Sequence, residues 1–283
     1  MFNLIKLSFY RLFHQKSFFV MIAVTAALGF ILIFSLYYAM NDPNDVSDET
    51  AAESSVNVEF DATMDEHGYE YYSKVITSFD LMTDELYGSG LLLIVISIFV
   101  SILTWAECKN GYIKNIAGQL KQRGMLPVSK LPAILFQTAV VLITAILSVC
   151  ALILIFYKDI NVNDLSNFMK NTAYQLLLIF AFGAFIPMVT MLFKNPAGAI
   201  ITGILLSSGI PSMLCQLIDN LLMRHFNFPK DFSIAVYTIE KNITELMRSP
   251  TSSEVITRGI IVGIAYLAVS TVISYLLVQK RDV

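Results

Sequence analysis

The chain has 283 residues, 56% of them hydrophobic and only 14% charged, with a net charge of −3. Soluble chains carry roughly 25% charged residues, so this one lacks the polar surface that water requires of a protein this long. A bilayer removes that requirement, and the composition points to an all-α polytopic integral membrane protein.

In chain order, Met1–Lys16 comes first, with Phe2, Ile5, Phe9 and Phe13 as an apolar stripe and Lys6, Arg11, His14 and Lys16 on the polar side. That pattern predicts a helix lying along the headgroups. Ser17–Ala39 follows as an uncleaved first span, because no small-x-small cleavage site ends it. Residues 41–85 then hold thirteen carboxylates and a single base, Lys74. This stretch is −12 and the remainder of the chain +9.

Further apolar runs predict spans at about 86–106, 132–157, 173–193, 198–223 and 255–278, each long enough for ~30 Å of hydrocarbon. With six spans, the basic residues Lys6, Arg11, Lys16, Lys109, Lys114, Lys121, Arg123, Lys130, Lys194, Lys280 and Arg281 fall on one side. The positive-inside rule makes that side cytoplasmic, together with both termini, and turns the acidic loop 41–85 outward. Within the outer segment 224–254, Ile234, Tyr237, Ile239 and Ile243 predict a short surface helix. One membrane domain, 1–283, is expected.

Between the second and third runs, Ile113, Ile116, Ala117 and Leu120 recur at i, i+3, i+4 and i+7. They predict a short cytoplasmic amphipathic helix, stopped by Gly124 and Pro127, with Ser129 capping the next helix. Glu107 is positioned to pair with Lys109, Lys114 or Arg123. Inside the spans, Gly259 and Gly263 form a GxxxG, and Ala199, Gly203 and Ser207 a second small-residue stripe. Both suit close helix approach, within one chain or between two. Pro187 and Pro211 are expected to kink their helices, and Gln216 and Asp219 are polar groups near the outer end of the fifth span.

Catalytic motifs are missing. The sequence has no GxxxxGK[ST] for phosphate, no HExxH and no GxSxG. His14, His67 and His225 are scattered, so no metal site is expected, and Cys108, Cys150 and Cys215 read as apolar fillers. No nucleic-acid partner is expected. Asn242-Ile243-Thr244 matches a glycosylation acceptor.

The LIKLSFYRLFHQKSFFV opening, six spans, and WAECKNGYIKNIAGQLKQRGMLPVSKL after the second span together resemble an ABC-transporter permease of exporter type 2. The motif positions are Glu107, Gly111, Lys114, Asn115 and Ser129-Lys130-Leu131. One departure is that the family's arginine sits closer to the Ser-Lys pair than Arg123 does here. The resemblance implies that Glu107, Gly111, Ile113, Lys114, Ile116, Ala117, Leu120, Lys121 and Arg123 form a coupling helix docked on a separate cytoplasmic ATPase dimer. That dimer would hold ATP and Mg, so this chain would bind no cofactor and would not itself be an enzyme. It further implies a second permease copy or relative, a bacterial plasma-membrane location, an outer lid at 224–254, and export of an amphiphile. A cationic antimicrobial or cytolytic peptide fits the acidic outer loop. The alternatives are a multidrug or lipid exporter, or a non-transporting sensor or scaffold that binds through that loop.

Overall fold

The computed structural model describes residues 2–41, 88, 90–109, 123–156, 165–193, 195–226, 233–246 and 252–280. Helix is what apolar runs must form in hydrocarbon, where each backbone N–H and C=O needs a partner inside its own segment. Among the described residues there is accordingly helix and no strand. The α-helices are α1 (Phe2–His14), α2 (Lys16–Asn41), α3 (Leu91–Lys109), α4 (Met125–Phe156) and α5 (Leu165–Phe193). After them come α6 (Pro196–Ser207), α7 (Ile210–Phe226), a 3₁₀ turn (Ala235–Tyr237), α8 (Ile239–Leu246) and α9 (Ser253–Lys280).

Four of these, α2, α4, α5 and α9, are long and apolar enough to cross a bilayer, and the bent pair α6–α7 makes a fifth candidate. The second predicted run is shorter than expected. Its apolar helix covers only Leu91–Ala106, because Gly90 takes a left-handed φ of 67° and the helix can begin only after it. The fifth predicted span, 198–223, is not one helix. Gly209 at φ 77° separates α6 from α7, and their axes bend by 59°. Pro211 therefore starts a helix instead of kinking one, in the first turn where its missing N–H costs nothing.

Two helices begin earlier than their apolar runs. α4 starts at Met125, so Pro127 lies in its first turn and Pro132 inside it. Ser129 is not a cap, since its hydroxyl donates back to the Leu126 carbonyl at 2.8 Å. α5 starts at Leu165, ahead of the predicted 173, and runs unbroken through Pro187.

α5 occupies the centre and packs against α3, α4, α6, α8 and α9. Of its apolar window 67% is buried, against 22–39% for the other three long helices. Leu178, Ile179, Phe182, Ile186 and Val189 carry that contact. The opposite helix faces, with Ile201, Leu205, Met213, Leu217 and Leu221 exposed, suit lipid. α2 and α1 attach through α4, where the Phe9 and Phe13 rings meet Phe136 edge-on at 5.7 and 5.4 Å.

Candidate functional site

The two ends of the bundle differ in chemistry. At one end, Leu126 at the start of α4, Met191 at the end of α5 and Val278 at the end of α9 form a buried cluster, with Leu4 of α1 packed on it. Arg123 and Gly124 make the turn into α4, with the Leu126 N–H donating to the Arg123 carbonyl at 3.1 Å. The Gly124 N–H donates to Gln279 Oε1 at 3.1 Å, and a Cβ on Gly124 would lie 2.6 Å from the Tyr275 ring. The chain entering α4 is thus clamped to the last turns of α9. Behind it lies a small cleft between α4, α5 and α9, lined by Pro127, Leu131, Pro187, Thr271 and Ser274 among others.

Of the expected coupling residues, Gly111, Ile113, Lys114, Ile116, Ala117, Leu120 and Lys121 lie outside the described residues, as do the side chain of Glu107 and the acidic loop. Arg123 is half-buried in the turn. Of the motif that follows it, Ser129 and Lys130 are buried in the first turns of α4.

The small residues serve packing within this chain. Ala199, Gly203 and Ser207 form the buried face of α6, and a Cβ on Gly203 would overlap the Ser97 side chain of α3. Gly259 faces Leu246 of α8 and Gly263 faces Leu177 and Leu178 of α5. Gln216 is exposed, whereas Asp219 is buried. Its carboxylate accepts from Ser233 Oγ and the Ile234 N–H, both at 2.9 Å, and from the Ala235 N–H at 3.3 Å. Asp219 therefore holds the 3₁₀ turn against α7, so the structure gives it an architectural task. Among the described residues the predicted pathway-or-packing positions are spread over separate helix contacts, with Pro187 on the cleft between α4, α5 and α9.

The opposite end carries a polar layer that the sequence reading missed. α8, the predicted short outer helix, lies across α5 and α9. Asn242 is fully buried; its amide donates to the Val236 and Thr238 carbonyls at 2.8 and 2.7 Å. Its Oδ1 accepts from Arg258 Nε at 3.3 Å, and Arg258 also pairs with Glu245. From α5, Gln175 Nε2 donates to the Ile243 carbonyl at 3.0 Å. Asn242 is thus committed to the fold, and a glycan cannot be attached to it in this arrangement. One sequence signal was present: Arg258 is the single base within the long apolar helix before its C-terminal Lys280.

Arg258→Ala is expected to destabilise the protein by about 1–3 kcal/mol, because it leaves the half-buried Glu245 carboxylate with only the 4.0 Å approach of Lys241. The charge-swapped Arg258→Glu/Glu245→Arg pair should recover part of that loss. Thermal unfolding in detergent, read as a double-mutant cycle, tests both.

A family profile described as a protein of unknown function, DUF2705, matches residues 121–283. The chain belongs to the DUF2705 family. The matched region contains α4 through α9, and so the α5 hub, the Gly124–Gln279 clamp and the polar layer. No curated protein and no solved structure matches the chain.

Proposed function

We propose that this DUF2705 protein is the membrane subunit of an ATP-driven exporter of the ABC type-2 kind. It spans the bilayer of a bacterial cell six times, with both termini cytoplasmic, and an amphiphilic substrate, foremost a cationic peptide, moves outward. Hydrolysis is assigned to a separate cytoplasmic ATPase dimer, and a second permease copy or relative completes the assembly.

The observation that carries this reading is the meeting of Leu4, Leu126, Met191 and Val278 at one end of the bundle. It gathers the ends of α1, α4, α5 and α9, and with them Lys6, Arg123, Lys130 and Lys280. Segment 110–122 is bounded by α3 and by the turn clamped to Gln279. A force on that segment therefore reaches α9 through Gly124 and Tyr275, and the α5 hub through Met191. An energy source can shift a two-state element only through a surface it binds differently in the two states. The basic end is the surface proposed for it, together with the segment whose spacing of Ile113, Ile116, Ala117 and Leu120 predicts an apolar helix face.

The test is co-purification in detergent with any ABC ATPase encoded in the same genome, comparing wild type with Ile116→Asp/Leu120→Asp. Wild type is expected to retain the ATPase and stimulate its hydrolysis, and the folded double variant to lose both. Absence of an ATPase from the wild-type preparation overturns the proposal. Attention would then move to the acidic segment 41–85 as an outer binding module.

A further inference from the structure

We infer that Glu240 is a proton-binding site that latches α8 onto the break between α6 and α7. The latch stands whether or not the protein transports.

α8 is fastened on one flank by charge and on the other by a carboxyl of a different kind. On the first flank, Arg258 of α9 pairs with Glu245 and bonds Asn242. On the second, Glu240 reaches the α6–α7 junction, where its Oε1 would lie 3.3 Å from a Cβ on Gly209. Ser212, buried in the first turns of α7, donates its hydroxyl to the Gly209 carbonyl at 2.8 Å and also faces the Glu240 carboxyl. The other oxygen, Oε2, is buried and meets no hydrogen-bond partner among the described residues. An ionised carboxylate held so loses hydration without full compensation, whereas the neutral acid loses far less.

The charged groups on the surrounding elements leave this balance in place. Lys241, the next residue, favours ionisation, as does Ser212, and burial outweighs them, so the Glu240 pKa is raised above its ordinary value of 4.5. Glu245 pairs with Arg258 and, at 4.0 Å, with Lys241 as well, which draws Lys241 towards it, and Asp219 is committed to the 3₁₀ turn. The elements packed against α8 also carry Lys170 and Tyr174 on α5, Tyr237 in the 3₁₀ turn and Glu254, Tyr266, Tyr275 and Lys280 on α9, and α7 carries Cys215 and Arg224. A carboxyl whose pKa rises on docking binds more protons docked than free. Docking is therefore complete below the ordinary value and weakens as pH rises through the docked value. The arrangement seen here is the one that acid favours.

The experiment uses the full chain in lipid nanodiscs, with Cys108, Cys150 and Cys215 replaced and spin labels at Thr244 on α8 and Met213 on α7. Pulsed dipolar distances are recorded from about pH 4 to about pH 9. A single short distance is expected at the acid end. A longer population should grow in with one midpoint above 4.5, the ordinary value for the group. Glu240→Gln, which fixes a neutral side chain, should keep the short distance throughout. Ser212→Ala removes a group that favours ionisation and should move the midpoint upward; it decides the matter if Glu240→Gln fails to fold. A wild-type distance indifferent to pH overturns the latch. So does a folded Glu240→Gln that titrates like wild type, or a Ser212→Ala midpoint that stays put.

Discussion

Gly203→Leu is expected to abolish the folded bundle, with loss of the monodisperse detergent-solubilised species rather than a mere fall in Tm. Helices in lipid gain little from hiding apolar area from one another, so their association rests on close approach and packing. α6 meets α3 where Gly203 faces Ser97, and any Cβ placed there falls far inside 3.0 Å of both Ser97 Oγ and Ser97 Cβ. A hydroxyl can rotate away, but a Cβ is fixed by the backbone, so the helices themselves must separate. Overpacking of this kind costs about 1–3 kcal/mol even where side chains can adjust, and leucine adds three further carbons. Gly203→Ala should therefore lower Tm strongly, and Ser97→Gly should restore much of that loss by removing the opposing Cβ. Ile201→Phe enlarges an exposed apolar position on the same helix and should be silent. An unaffected Gly203→Leu protein would mean that α6 does not pack on α3 as described.

The same contact shows how far the sequence could be read. Ala199, Gly203 and Ser207 announced a close approach by their spacing, since 3.6 residues per turn puts them on one face. They could not announce Ser97 as the partner, because that pairing depends on the chain folding back over more than 100 residues. Apolar length located α2, α4, α5 and α9 well but misplaced the beginnings of α4 and α5. The reason is physical: hydrocarbon ends where water or headgroups begin, while the hydrogen-bonded ladder continues. Residues 165–172 of α5 include Asn167, Lys170 and Asn171 and are still helical, though no hydropathy argument recruits them. Gly209 two residues before Pro211 was read as part of a kinked span. The positive φ of Gly209 ends one helix before the proline starts the next. Arg258, Glu245, Asn242 and Gln175 come from three elements and were beyond a one-dimensional reading, apart from the isolated arginine.

The second large effect is expected at Asp219, an ionisable residue of α7 that the structure buries. An acid near the end of an apolar helix invites a transport role, with a proton or a cationic group passing over it. Its geometry supports a different task. Both oxygens accept the Ile234 N–H, and Ser233 and Ala235 donate to Oδ2. One carboxylate thus satisfies the backbone donors that open the 3₁₀ turn, as a capping residue does for its own helix but from 14 to 16 residues away. Asp219→Ala leaves those partly buried donors unmatched and is expected to lower Tm strongly, because charge-assisted bonds are the stronger ones and several are lost together. Asp219→Asn keeps one acceptor and should lose about half as much. A cysteine placed at Ser233 should become accessible to a membrane-impermeant maleimide in the alanine variant and remain slow in the asparagine variant. The two tasks then separate on one comparison. If Asp219 relays charge, Asp219→Asn is a well-folded protein without activity. If it caps the turn, stability and thiol accessibility change first, and whatever activity the protein has declines in step with the folded fraction, less in asparagine than in alanine.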